Sequence, residues 1–563
     1  MKKQLILFIA LLLAGALCAQ VTLTPAKPGL TDEVTLTFKA NEGNKGLMGH
    51  EGDVYLHTGL LTDKSAKQSD WQLVPADWGK NIDKLKMKRT GTDTYQLTFT
   101  IKDLYGAPEN TDVKALACVF RSDNGTKVGK ATGDQDIFVF LKDASFRATP
   151  TVYADSRTPE PDWLRYAAVY EVNVRQYTPE GTFNAFSEHL PRLRDMGVDV
   201  LWFMPIHPIG VKDRKGTLGS YYAVQDYRGI NPEYGSVEDF KRLVTRAHGM
   251  GMKVVIDWVA NHTSRDHAWI AQHPTWYNYN DKGEIIAPFD WSDVADLNFD
   301  QYYMRRAMID DMLFWIKEVD IDGFRCDVAG EVAVDFWEDA TQAIRAAKPN
   351  VWMLAEDAAS LWLLNNAFNT NYGWAFHHLM NKIAKGEQPA SAIFEQLETA
   401  SRTYPKGTFP MQFITNHDEN SWQGTEYERL GAGVKAFSVL YYTVPGMPLV
   451  YSGQEAAFNR RLKFFEKDPI DWKDKPLVPF YTRLNALKSE NPALWNGRSG
   501  GELKKIDHDQ PAFVAAYSRS KNGNTVVTVI NLSGQPQQVE LRIAEDAGIY
   551  QEYFSNTPTT LTP

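Results

Sequence analysis

Three regimes of hydrophobic patterning follow one another along the chain. Between residues 20 and 150, apolar and polar residues alternate in short runs, among them Val34-Thr35-Leu36-Thr37-Phe38, Tyr95-Gln96-Leu97-Thr98-Phe99 and Ala115-Leu116-Ala117-Cys118-Val119-Phe120. Turn-rich pieces such as Asn41-Glu42-Gly43-Asn44 and Ser122-Asp123-Asn124-Gly125 separate them. A period of two puts alternate side chains on one buried face, and short strands at this spacing predict an N-terminal β-sandwich. The stretch 151–164, with its prolines and aspartates, reads as a linker.

From 165 to 490 strands alternate with helices. Apolar runs at Val169–Val174, Val198–Met204, Lys253–Trp258, Gly323–Val328, Trp352–Glu356, Met411–Thr415 and Pro448–Tyr451 read as strands, and an eighth is expected near Ala367–Tyr372. Helical patterns follow at Phe183–Met196, Ser236–Met250, Gln301–Val319 and Pro479–Lys488. This α/β series predicts a parallel (β/α)8 TIM barrel. Periodicity does not show closure, so an open doubly wound sheet is the alternative. Over 491–563 strands return at Ala512–Tyr517, Thr525–Ile530 and Val539–Ile543, with Asn522-Gly523 as a hairpin turn between the first two. They predict a small C-terminal antiparallel β domain.

The N-terminus adds a compartment. Met1-Lys2-Lys3, an apolar run from Leu5 to Leu17 and then Cys18-Ala19-Gln20 fit a cleaved signal peptide over 1–19, and so export to the periplasm or the exterior. Lipidation of Cys18 is the alternative, against which Leu17 is bulkier than the small residue such processing wants. The run is too short for a membrane span and no second one is long enough. Cys118 and Cys326 lie in strand-like patterns and are expected as buried free thiols.

Composition narrows the partners. With 70 acidic and 60 basic residues among 563, the formal charge of −10 gives no electrostatic reason to bind nucleic acid. An apolar fraction of 43% and a charged fraction of 23% exclude wholesale disorder. Aromatic residues reach 12%, which serves either a large core or flat sugar-binding faces.

In a parallel barrel, function gathers where strands end. Those ends carry Asp257, Asn261 and His262 after the third strand, Arg325 and Asp327 on the fourth, Glu356 on the fifth, and His417 and Asp418 on the seventh. Apolar strands leading into charges are costly unless the charges are paired or used. Asp327 and Glu356 sit on consecutive strands, an arrangement suited to a nucleophile and an acid/base in glycoside hydrolysis. Arg325 shares a strand face with Asp327 and is expected to hold that carboxylate ionised.

These residues fall into motifs. Gly197–Ile206, Asp257-Trp258-Val259-Ala260-Asn261-His262, Gly323-Phe324-Arg325-Cys326-Asp327, Glu356, Asn416-His417-Asp418 and Gly446–Glu455 follow one another in the order found in the α-amylase family of glycoside hydrolases, which the chain resembles over about 165–490. The resemblance implies Asp327 as nucleophile, Glu356 as general acid/base and Asp418 as the carboxylate that stabilises the oxocarbenium-like transition state. It further implies that Tyr222 stacks on the glucose at the cleavage site, that His262 and His417 hydrogen-bond its hydroxyls, that Arg325 stands beside the nucleophile and that Asp257 is structural. The loop at about 263–300 would form the family's small domain B, holding Trp269, Trp276 and Trp291.

Many relatives hold a structural calcium, for which Asn261 and Asp296 would supply two ligands; a third position carries Glu331 in place of the usual histidine, which counts against the metal. The chemistry itself needs no cofactor. Asp327-Val328-Ala329-Gly330-Glu331 resembles neopullulanases and cyclomaltodextrinases, whereas Val294–Asn298 departs from their pattern, so a bacterial α-amylase is the other subfamily reading. The expected activity is retaining cleavage of α-1,4 bonds in starch, maltodextrin or related α-glucans. A transglycosylase or isomerase with the same residues and a non-catalytic glucan-binding protein are the alternatives. Trp71 or Trp78 would let the N-terminal domain bind starch, with domain packing as the other reading.

Overall fold

A computed structural model describes residues 20–562, apart from 27, 63, 66–69, 110, 132–135, 142–150 and 544–546. The expected leader at 1–19, with Cys18, lies outside the described residues, as does part of the stretch before the linker. By contacts the chain divides into two compact units, the described residues of 1–146 with 300–303, and those of 147–299 with 304–563.

In the first unit an antiparallel path runs through Val21–Thr24, Glu33–Lys39, Thr94–Thr100, Lys86–Gly91, Val54–Thr62, Val113–Ser122 and Val128–Gly129, with Ile137–Phe140 also paired to Val113–Ser122. The alternation read from the sequence is the cause: Val34, Leu36 and Phe38 are buried while their neighbours face outward. Phe38 lies flat on Phe120 from the other layer, ring centroids 3.7 Å apart, in a core shared with Leu56 and Leu116. Trp78 is 57% exposed. The Arg121 guanidinium stands 5.0 Å from its ring centroid and His57 meets it edge-on.

In the second unit eight parallel strands close into a barrel: β1 (Val169–Val172), β2 (Val200–Phe203), β3 (Lys253–Trp258), β4 (Gly323–Cys326), β5 (Trp352–Ala355), β6 (Thr370–Tyr372), β7 (Phe409–Gln412) and β8 (Met447–Tyr451). Closure is decided by β1, whose Val169 pairs with Val200 of β2 on one side and Leu449 of β8 on the other. Inward positions at the strand starts are apolar: Val169, Val200, Val255 and Leu354 share one core. Two residues on, the same face reaches Glu171, Asp257 and Glu356, so the period of two carries an oily barrel floor into a charged rim. Gly323 opens β4 at φ 150°, where a β-carbon would lie 1.8 Å from the Trp352 carbonyl oxygen; only glycine permits this approach of β4 to β5.

The helix expected over Phe183–Met196 is two helices, Phe183–Ser187 and Leu190–Asp195. Pro191 has no N–H to give and its ring collides with the carbonyl four residues back, which breaks the run. The C-terminal strands form a three-stranded sheet, Leu503–Lys505, Val514–Lys521 and Asn524–Asn531, and two short ribbons. Asn522 and Gly523 both take positive φ in the hairpin turn. Below the barrel, buried Arg519 donates to the carbonyls of Thr443, Val444, Leu494, Trp495 and Gly501, and Lys488 to those of Gly446 and Leu494. Cys118 and Cys326 are buried and free. No described helix is long and apolar enough to cross a membrane.

Candidate active site

The charged rim surrounds a cleft of about 450 Å³, lined by Tyr222, His262, Asp327, Glu356 and Asp418 together with side chains from four loops. Arg325 is its hub. Fully buried, it donates from Nη1 to Asp257 Oδ1 at 2.9 Å and to Asp327 Oδ1 at 3.0 Å. Its Nη2 pairs with Glu356 Oε1 at 2.8 Å and its Nε donates to the Tyr372 hydroxyl at 3.1 Å. One guanidinium fork thus holds three carboxylates in a fixed mutual geometry.

Asp327 and Glu356 are held on the two terminal nitrogens of one guanidinium, at 3.0 Å and 2.8 Å. The backbone helps: Val328, just past β4, is forced to φ 36° and donates its N–H to Glu356 Oε2 at 2.8 Å. A β-branched residue pays roughly 1–3 kcal/mol for this conformation, the kind of strain that persists where the surroundings fix an active site.

The expectation that Arg325 keeps Asp327 ionised is corrected here. Burial and the neighbouring charge of Glu356 push the Asp327 carboxyl well above the usual carboxylate range, and the guanidinium only partly offsets them. Arg325 divides its charge among Asp257, Asp327 and Glu356, so no single carboxylate receives all of it. Asp257 itself is raised to about 6 by burial, against the pull of Arg325.

A second charge system lies beside the first. His417 is buried, with Nδ1 on Glu171 and Nε2 on the Tyr222 hydroxyl and 3.3 Å from Asp418 Oδ2. Burial opposes its charge, but Asp418 and Glu171 outweigh burial and hold the ring as an imidazolium. Asp418 in turn is held below the usual range: burial raises it, and the His417 charge and the Trp422 indole N–H more than compensate. His262 behaves oppositely. Burial pushes it down to about 3, so it stays neutral and presents a hydrogen-bonding ring to the cleft. The Tyr222 ring stacks at 24° on His417 and at 12° on Phe464, and its hydroxyl donates to Asp257 Oδ2 at 3.2 Å.

The fold and this site match known proteins. The profile described as "Alpha amylase, catalytic domain" matches residues 132–282 and 272–475, more than half of the chain. The chain belongs to the α-amylase family. Over 405 residues it is 28% identical to Alpha-amylase MalA of Haloarcula japonica, covering 69% of this chain and 58% of the relative, so the match spans little more than half of that relative's length. It is 27% identical to an alpha-1,4-glucan:maltose-1-phosphate maltosyltransferase of Picrophilus torridus, covering 77% of this chain and 71% of the relative. Among solved structures, an α-amylase from Lactobacillus plantarum superposes with a TM-score of 0.64 at 32% identity, covering 71% of this chain and 96% of that one. The chain is thus an α-amylase-family enzyme, in a family whose matched members include amylases and maltosyltransferases.

Of the residues singled out from sequence, Asp327, Glu356, Asp418, Tyr222, His262, Arg325 and His417 converge on the cleft or its floor. Asn261 and Asp296 do not line it: Asn261 Nδ2 is turned to His262 Nδ1, and the Asp296 carboxylate accepts from Asn278 at 2.7 Å. Among the described residues no trio of His, Cys, Asp or Glu is placed to hold a metal ion. Burial raises the Asp296 carboxyl, the Asn278 amide opposes it and the charge of Glu331 adds to the rise; no step of the chemistry is assigned to a calcium ion.

Glu171 was not among the sequence candidates, although Val-Tyr-Glu-Val carries the same signal, a carboxylate inside an apolar strand. Trp422, Phe464, Phe465 and Lys215 also line the cleft, and they come from loops whose meeting no local pattern encodes.

Proposed function

We propose that the protein is a retaining hydrolase of α-1,4-glucosidic bonds in starch, maltodextrin or related α-glucans, exported as the residues at 1–19 suggest. One observation carries the reading: Asp327 and Glu356 stand at the ends of consecutive strands and pair with the two terminal nitrogens of one arginine. Inverting enzymes keep their carboxyl groups about 6.5–9.5 Å apart to admit a water between them, whereas a nucleophile and its acid/base stand closer.

The steps follow from these roles. The glucose at the cleavage site lies on the Tyr222 ring, with His262 and His417 at its hydroxyls. In the reacting complex Asp327 acts as the nucleophile and Glu356 as the general acid. Asp327 attacks the anomeric carbon, the glycosidic C–O bond breaks, and Glu356 gives its proton to the departing oxygen. Asp418, ionised beside the His417 imidazolium, faces the positive charge that develops on the sugar. Glu356, now a carboxylate, takes a proton from water, which attacks the same carbon and releases Asp327. Two displacements return the α configuration.

A transglycosylase uses the same first step and differs only in whether a sugar hydroxyl replaces water. The resemblance to a maltosyltransferase keeps that reading in view. Timed products from maltoheptaose decide: shorter sugars appearing first as α-anomers by proton NMR support hydrolysis with retention. Longer or rearranged sugars as main products favour transfer, and β-anomers would refute the two-step scheme. We further propose that the half-exposed face around Trp78 binds granular starch, on the strength of its exposed indole.

A further inference from the structure

The loop 209–224, between β2 and the helix Val237–Gly249, is closed at its base by the bridge between Ile209 and Val224. It is tied on both flanks. On one side Val211 N–H donates to Asp266 at 2.8 Å, and Lys215 Nζ pairs at 2.9 Å with Asp293, whose side chain is 5% exposed. On the other side Thr217 N–H donates to Glu466 at 3.0 Å and Leu218 N–H to the Phe465 carbonyl at 3.0 Å.

Buried Arg175 clamps this second flank, donating to the Gly219 carbonyl at 3.0 Å and the Phe464 carbonyl at 3.1 Å. Gly216, at φ 63°, lets the loop lie so close that a β-carbon there would stand 2.5 Å from that of Phe465. Lys215, Asp293 and Phe465 all line the cleft. The wall therefore runs unbroken from the 262–296 segment, across the loop, to the segment after β8.

We propose that this loop dead-ends the cleft on the non-reducing side of the cleaved bond, so that the enzyme works from the non-reducing chain end and releases short oligosaccharides. This rests on the hydrolytic reading above. Its direction follows from the roles there: Glu356, directly after β5, protonates the departing, reducing-side sugar. Tyr222, which carries the sugar that is attacked, belongs to the loop itself. Sugars beyond it toward the non-reducing end run into the wall formed by the Lys215–Asp293 pair and Phe465. A chain with nothing beyond its last glucoses fits, and an internal segment does not.

The test uses the full chain and three maltoheptaose forms: unmodified, blocked at the non-reducing end by a 4,6-O-ethylidene group, and reduced to the alditol at the other end. The expected result is that the unmodified and reduced chains are cut at similar rates while the ethylidene-blocked chain is cut at least about 100-fold more slowly. A blocked chain cut within about threefold of the unmodified one overturns the inference and leaves the hydrolytic reading intact. No turnover of the unmodified chain overturns both. Replacing 213–217 by two glycines is expected to restore cutting of the blocked chain in a variant whose circular dichroism matches the parent. A variant so folded that still refuses the blocked chain would show that the loop is not the wall.

Discussion

Arg519 and Arg325, two of the buried arginines of the second unit, have opposite surroundings. Arg519 meets only main-chain carbonyls, and burial lowers it to about 10 while the neighbouring Lys488 falls well below its ordinary value. Arg325 meets Asp257, Asp327 and Glu356, and despite burial these charges hold it well above its ordinary value. Carbonyl dipoles satisfy a cation's donors without giving protons anywhere to go, so the Arg519 centre is a pin between barrel and C-terminal sheet. Carboxylates around a cation form a set of coupled acids whose protons can be redistributed, and there chemistry becomes available. Buried charge alone does not mark an active site; buried charge with titratable partners, at an opening, does.

The contrast can be broken by substitution. Asp327→Asn is expected to lower kcat by about 10⁴-fold or more, the scale of losing a covalent nucleophile, and Glu356→Gln by roughly 10²–10⁴-fold. Both should leave the circular dichroism spectrum unchanged, and near-parental turnover in either would remove the chemical half of the contrast. Arg519→Met should do the reverse. It removes the guanidinium donor from five carbonyls, of which Leu494 keeps Lys488, so unfolding in urea should show a loss of about 3 kcal/mol or more. Turnover per folded molecule should be unchanged, and a kcat drop without a stability drop would erase the distinction.

Much of this is legible in the sequence. The carboxylates announced themselves because an apolar strand that ends in Asp or Glu has no cheap explanation, and Asp257, Asp327 and Glu356 all follow that rule. The barrel's closure was not legible, since Val169 must find Leu449 from the far end of the domain and no local period records it. The proton affinity of Asp327 is not legible there, because sequence shows Arg325 two residues away but not the burial that outweighs its charge. The loop 209–224 was read only as far as Tyr222, because its ties run to Asp293 and Glu466, distant in sequence.

Smaller effects sharpen the same comparison. Glu426 is 2% exposed, away from the cleft, and burial raises it to about 7. An acid whose folded pKa lies above its unfolded value of about 4.3 stabilises the fold fully below pH ~4, and that contribution is lost as pH rises through 7. Glu426→Gln stays neutral, so its stability relative to the parent should improve between pH 4 and pH 8 by on the order of 3 kcal/mol; a pH-independent difference would show that this carboxyl ionises freely. The mildest case is the exposed Trp78, over whose ring the buried Arg121 guanidinium stands. Trp78→Ala should weaken retention on granular starch by roughly 2- to 10-fold, the worth of one aromatic platform, with turnover of maltoheptaose unchanged. Equal retention would assign Trp78 to packing alone.

The central claim is that Asp327 forms a bond to the sugar. A 5-fluoro-α-glucosyl fluoride makes that bond quickly and hydrolyses it slowly, so peptide mass spectrometry of the trapped enzyme reads out the attached residue directly. The expected label is one 5-fluoroglucosyl adduct on the peptide bearing Asp327, absent from Asp327→Asn. An adduct on Glu356 or Asp418 would contradict the assignment.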